Sequence, residues 1–189
     1  IKFEQQNFLY IKALGSPWVQ FNGHTLNLSH RQIEILCILA LHPHGIGLEE
    51  LHYALYGERS VSLKTLKAEL SQLRSLLPHS IEARIYRLSC EVQCDFLRAE
   101  QSLNANLISS TFSLYKGSFL SKSESPLLST WRHCFDARLS QLIYQIKDID
   151  QLLRIIGQTH DRIDAVQRLL ELLPQDRIHR NYFSNMIST

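Results

Sequence analysis

Residues 26–78 read LNLSHRQIEILCILALHPHGIGLEELHYALYGERSVSLKTLKAELSQLRSLLP, and three helices can be read from this stretch alone. Ser29 with Gln32 three residues on is a capping box: the serine oxygen takes the N3 amide while the glutamine reaches back to the cap. Behind it Ile33, Leu36, Ala40 and Leu41 repeat at helical spacing. Ile35, Cys37, Ile38 and Leu39 make the other faces apolar too, which predicts a helix buried nearly all round. His42-Pro43 ends it, because proline pushes the preceding residue out of the α region. A shorter helix over about 48–56 places Glu49 and Glu50 where the helix dipole favours negative charge. It turns Leu51, Ala54 and Leu55 inward and ends at Gly57. The third helix, over about 62–77 and capped by Ser60 or Ser62, aligns Leu63, Leu66, Leu70, Leu73 and Leu77 in one stripe. Burying five leucines is worth on the order of 10 kcal/mol in gross transfer terms. The opposite face holds Lys64, Lys67, Ala68, Ser71 and Ser75, and Pro78 stops the helix.

The residues before this stretch alternate. Phe8, Tyr10 and Leu14 form a β-prone run that ends at Gly15-Ser16-Pro17, and Trp18, Val19 and Phe21 form a second. Asn22-Gly23 then signals a hairpin, because both residues accept positive φ, and Leu26 and Leu28 lie in a third run. Three short antiparallel strands are expected. After Pro78 a short β pair, about 80–82 and 85–89, carries Arg84 and Arg87. Strands, three helices and a terminal β pair make a winged helix-turn-helix.

From Asp95 onward the pattern is helical: about 96–103, 107–115, a long helix opened by Pro126 after a Ser-rich loop, then 148–157, 161–173 and 176–187. Paired helices of this size are the unit of tetratricopeptide-like solenoids. The expected class is therefore α+β, mostly α: a winged helix-turn-helix with a small N-terminal sheet and a C-terminal wing over 1–92, then an all-α, tetratricopeptide-like domain over 93–189.

Composition narrows the function. The chain has 189 residues, a formal net charge of +2, 44% hydrophobic and 20% charged residues, which excludes disorder for most of it. No run of about 18 apolar residues occurs, so no membrane partner is expected. Thirty-two leucines against 7 glycines lean towards helix and away from a glycine-rich nucleotide-binding sheet. Between Arg59 and Cys90 six basic residues face two acidic ones, a local excess that points to an anionic partner. The cysteines, Cys37, Cys90, Cys94 and Cys134, offer one C-x3-C with no second pair, and the histidines fall in no metal frame. No metal site, no cofactor, no disulfide and a cytoplasmic location are expected. Starting at Ile1 rather than Met, the chain is expected to be a piece of a longer or processed protein. No P-loop and no nucleophile–base order is found, and Asp148 with Asp150, or Asp161 with Asp164, reads as helix-start acid, so no enzymatic activity is expected.

A helix with a small, basic outer face fits the DNA major groove, about 12 Å wide. Lys64, Lys67, Ser71 and Gln72 are the candidates for it. Arg74, Arg84 and Arg87 are candidates for phosphate or minor-groove contact, and His30 and Arg31 for the duplex backbone. Each has a plainer alternative: Arg74 pairing with Glu50 or Glu69, Arg87 as a solvated edge charge, and Lys67 and Ser71 as open helix surface.

These residues also carry a resemblance. The "L-x-L-S-x-R-Q" start of the first helix, "L-E-E-L" in the second, "L-S-Q-L-R-S-L-L" in the third and "Y-R-L" in the β pair resemble the winged helix of OmpR-class response regulators. The second half resembles the bacterial transcriptional activator domain, through "CDFLRAEQSL", then "SLYKGSFL", then "W-R-x-x-x-x-x-R-L". That pair of domains is the arrangement of the Streptomyces antibiotic regulatory protein family. The resemblance implies a sequence-specific transcription regulator acting on double-stranded DNA, with RNA polymerase or a second protomer as partner of the helical half. It places reading positions on Lys64, Lys67, Ala68, Ser71, Gln72 and Arg74, and wing contacts on Arg84 and Arg87. The chain departs from the family in a short wing, "IEARIYRL", that lacks glycine, and in Ser71 and Gln72 where arginines are common. No phosphoacceptor domain is read in these residues. A short wing and a modestly charged third helix also fit a second reading, a protein-interaction module whose winged helix no longer binds DNA.

Overall fold

The computed structural model describes residues 6–173. Strand β1 (Phe8–Lys12) pairs antiparallel with β2 (Trp18–Phe21), which pairs antiparallel with β3 (His24–Leu26). Asn22 and Gly23 both sit at positive φ, 48° and 82°, the twist a two-residue hairpin requires. Helices α1 (His30–Leu41), α2 (Leu48–Tyr56) and α3 (Leu63–Leu76) come next, then strands β4 (Ile81–Ala83) and β5 (Tyr86–Leu88) as the wing. Ile46, between α1 and α2, exchanges backbone hydrogen bonds of 3.0 and 2.9 Å with Tyr86, so the wing is tied to the helical body. The winged helix-turn-helix is present as expected.

Strand β6 (Glu91–Cys94) is not among the expected strands. It pairs parallel with β1, giving the sheet order β3-β2-β1-β6. Its partner lies about eighty residues earlier and no hairpin turn announces it, so no local signal marks it. The expected boundary between 92 and 93 falls inside this strand, and α4 (Asp95–Asn104) starts at the next residue after it.

The second half is helical: α4, α5 (Ile108–Leu114), the long α6 (Pro126–Gln145), α7 (Ile149–Gln158) and α8 (Ile163–Leu172). The expected helix over 176–187 lies outside the described residues. Ser125 caps α6 with Pro126 at its first position, where a missing N–H costs nothing. Asp148 caps α7, accepting from the Asp150 and Gln151 amides. Asp161 accepts from the Tyr115 hydroxyl, and Asp164 is held by Arg162 and Ser140.

One apolar core runs through both halves. Six of the eight residues that α1 buries between Gln32 and Leu39 belong to it. The other two are polar: Gln32, and Glu34 at 1% exposure within the apolar run. Of the five stripe leucines of α3, Leu66, Leu70, Leu73 and Leu77 are buried, but Leu63 is 38% exposed. It opens the helix at the stripe's edge, with no preceding turn to cover it. An aromatic cluster of Phe96, Phe119, Trp131 and Phe135, with centroids 4.5–5.3 Å apart, fills the helical half. All four cysteines are free thiols.

The seam between the halves is polar, and most of its buried groups are hydrogen-bonded; among the described residues Glu34 Oε2 makes no hydrogen bond and has only the Arg31 charge beside it. The Asp95 carboxylate, 3% exposed, accepts from the amides of Ala13 (2.8 Å), Leu14 (3.0 Å) and Phe96 (2.8 Å). Burial pushes its pKa up although these amides pull it back. Gly15 at φ +83° donates to Ser118, and a β-carbon there would lie 2.6 Å from the Lys116 carbonyl, so only glycine permits this approach. The Ser123 hydroxyl donates to buried Glu34, and the Ser125 hydroxyl donates to the Ala54 carbonyl at 2.7 Å. Arg59 binds the Glu124 carboxylate at 2.9 Å and its carbonyl at 3.0 Å.

Candidate nucleic-acid interface

Helix α3 is held by its leucine stripe and by the Ser62 hydroxyl, which accepts from the Thr65 amide at 3.3 Å. That anchoring turns Lys64, Lys67, Ala68, Ser71 and Ser75 outward together, all exposed, at spacings of three, four and seven that share one helix face. Ala68 and the serines keep this face low, and the two lysines stand on it. Gln72 is exposed at its edge, but its Oε1 already accepts from Gln32 Nε2 at 3.0 Å. Gln32 is the same residue that closes the α1 capping box, so the start of α1 and the middle of α3 are clasped by one side chain.

Arg74, seven residues beyond Lys67, lies on the same side of α3 and is exposed. It pairs with neither Glu50 nor Glu69, and no ion pair of Arg74 occurs among the described residues. With His79 and Glu82 it lines a shallow cavity of about 460 Å³ between α3 and the wing.

The wing places Arg84 at the two-residue turn between β4 and β5, exposed, beside Ile85 at 55% exposure. Arg87 sits across the strand pair from Glu82 and binds its carboxylate at 2.7 Å. Both side chains are about half exposed, so the pair is weak, but it offsets one of the wing's two charges.

Arg31 lies in a different setting. Its guanidinium is 2.7 Å from Glu34 and 4.6 Å above the Tyr56 ring. His30 lies 3.6 Å from the same carboxylate. Both are therefore drawn towards the seam with the helical half, where Ser123 meets Glu34. Burial pushes the Tyr56 hydroxyl pKa up, Arg31 opposes this, and Glu69 of α3 adds to it. Sequence reasoning passes over Glu34. Its signal is present as the one carboxylate inside an otherwise apolar helix, where an unpaired charge is costly.

The structure thus gathers Lys64, Lys67, Ala68, Ser71, Gln72 and Arg74 on one helix side. It puts Arg84 at the tip of the wing, couples Arg87 to Glu82, and turns Arg31 to Glu34. Among the described residues no cluster of three or more His, Cys, Asp or Glu is placed to hold a metal ion. No described helix is long and apolar enough to cross a membrane.

No protein-family model matches the chain. A curated protein of Rhodococcus erythropolis, an uncharacterized 47.3 kDa protein in the thcA 5′ region, is 28% identical over 153 residues, 80% of this chain and 35% of that protein. EmbR of Mycobacterium tuberculosis, solved in complex with a low-affinity phosphopeptide, matches with a TM-score of 0.55 and 17% identity over 97% of this chain and 57% of that one. The chain therefore spans about a third of the curated relative and a little over half of the solved one. Nearly the whole of its winged helix-turn-helix and helical fold is thus matched by a little over half of EmbR.

Proposed function

We propose that the chain is the DNA-binding and helical portion of a transcription regulator of the Streptomyces antibiotic regulatory protein type, with α3 reading the major groove of double-stranded DNA. The observation that carries this is the low, basic, exposed face of α3. Lys64 and Lys67 stand over Ala68, Ser71 and Ser75, with Arg74 alongside and no carboxylate paired to any of the three cations among the described residues. Small side chains let the helix backbone approach base edges, and the cations meet phosphates on either side. Arg84 extends that positive surface at the wing. Arg31 is the weakest of the candidates, since Glu34 and Tyr56 already hold it. The helical half, read as a tetratricopeptide-like array that begins with α4, supplies contacts to RNA polymerase or to a second protomer.

The test is an anisotropy titration against the DNA upstream of the chain's own gene and against a scrambled duplex. If about five phosphates are neutralised, log K falls against log salt with a slope of about −4 to −5. Lys64→Glu with Lys67→Glu abolishes the preference for the native sequence and leaves stability within about 0.5 kcal/mol of the parent. A slope near zero with no sequence preference removes the DNA reading. It would favour the protein-interaction module instead, a reading supported by the coupling of Arg87 to Glu82 and of Gln72 to Gln32.

A further inference from the structure

Where α2 meets the start of α6, the surface opens into a groove of about 800 Å³ that belongs to both halves of the chain. Its floor is apolar. Ile46 and Ala54 are almost wholly buried there, and Pro126 and Leu127 form the opposite wall. Tyr53 stands at the rim, 62% exposed, more than any other large hydrophobic side chain among the described residues. Glu49 and Glu50 edge the same rim. Glu50 gives one oxygen to the Gly47 amide as a helix cap, whereas Glu49 makes no ion pair among the described residues. The wall also contains His42, whose Nδ1 is engaged by the Ile38 carbonyl at 2.7 Å. Among the described residues no lysine or arginine lines the groove.

A concave apolar surface with a projecting tyrosine has the form of a hot spot, where one anchor side chain is desolvated and the aromatic ring covers it. The charge decides what kind of anchor. Two carboxylates at the rim repel phosphate, so this is not an extension of the nucleic-acid surface. They attract a cation, and the exposed tyrosine ring offers a cation a second favourable surface. We infer that this groove docks a segment of a protein partner that carries one large apolar side chain flanked by Lys or Arg. The apolar group fills the space between Ala54 and Leu127, and the cation faces Glu49 and Tyr53. Because α2 and α6 each supply a wall, the site exists only while the two halves are packed together. The inference does not rest on the DNA reading.

A phage-displayed library of random peptides, panned on the intact chain with the Tyr53→Ala variant as counter-target, tests it. The expected consensus joins a leucine, isoleucine or aromatic residue to an adjacent Lys or Arg. A selected peptide, followed by fluorescence anisotropy, weakens about tenfold on Tyr53→Ala and about fivefold on Glu49→Lys. Both positions are exposed, so neither change threatens folding, and Glu91→Lys on distant β6 leaves the affinity unchanged. Tyr53→Ala also leaves the DNA titration unchanged, which separates failure of this proposal from failure of the DNA reading. An acidic consensus, no selectable sequence, or indifference to Tyr53→Ala overturns the proposal. So does self-association of the parent chain that disappears on Tyr53→Ala, since a second copy would then be the occupant.

Discussion

The face of α3 and the seam between the two halves use polar residues in opposite ways. On α3, Lys64, Lys67, Ser71 and Arg74 are exposed and spend almost none of their hydrogen-bonding capacity inside the chain. At the seam, Asp95, Glu34, Ser123 and Ser125 are buried, and each meets a partner contributed by the other half of the molecule. Such groups cost free energy if left unpaired, so their geometry is constrained as tightly as that of the leucines around them. Substitutions should therefore act on folding at the seam, and on α3 on whatever the chain binds.

The largest effect expected from that contrast is at Asp95. Replacing it with alanine strands the amides of Ala13 and Leu14 in the interior and removes the acceptor at the start of α4. At about 1–3 kcal/mol per buried unsatisfied group, Asp95→Ala should lower unfolding stability by about 3 kcal/mol. Urea denaturation followed by circular dichroism measures it, and both halves should unfold together. A loss below about 0.5 kcal/mol, or separate transitions for sheet and helices, would contradict a structural role for the seam.

The same contrast explains what is legible in the sequence. The helices of residues 26–78 announce themselves locally, through the Ser29–Gln32 box, the leucine stripe of α3 and Pro78, and the structure places them accordingly. The hairpin at Asn22-Gly23 and the wing are equally local, and so is the outward face of α3, because a stripe on one side determines the other. The illegible part is long-range. Strand β6 finds β1 in parallel across about eighty residues, Asp95 finds Ala13 and Leu14, and Glu34 finds Ser123. Arg87 and Arg31 look like free cations in the sequence although their carboxylates are near: strand ends read at 80–82 and 85–89 do not set Glu82 opposite Arg87, and Arg31 meets Glu34 three residues on while its guanidinium lies over Tyr56. Periodicity thus reveals the residues whose role depends on it, and leaves hidden those whose role depends on an exact register or a distant partner.

A smaller effect is expected at Ser125, which joins the two classes of signal. Its hydroxyl caps α6 by accepting from the Leu128 amide at 3.3 Å, a role readable from Ser-Pro at a helix start. It also donates to the Ala54 carbonyl near the end of α2, a role that is not readable. Ser125→Ala loses both, for about 1.5–2 kcal/mol, whereas an N-cap alone costs about 1 kcal/mol. The excess over a cap alone is the share of the bond between the halves, and thermal melts of Ser125→Ala against the parent measure it. A loss no greater than about 1 kcal/mol would mean that the bond to Ala54 contributes nothing beyond the cap.

The smallest effect tests the other side of the contrast, on the wing, where the basic surface is internally compensated. Glu82 holds Arg87 across the wing at 2.7 Å, with both side chains about half exposed. An exposed pair of this kind contributes about 0–1 kcal/mol, so Glu82→Gln should leave stability almost unchanged. It removes a negative charge beside Arg84 and releases the Arg87 guanidinium to bind phosphate. If α3 and the wing form a nucleic-acid surface, affinity for a duplex rises by about two- to fivefold and the salt slope steepens by about one unit. The sign is the informative part, because removing a carboxylate from a surface that does not meet DNA gives no gain and no change of slope. An unchanged slope in Glu82→Gln alongside a lost one in Lys64→Glu with Lys67→Glu would confine the contact to α3 and leave the shortened wing outside it.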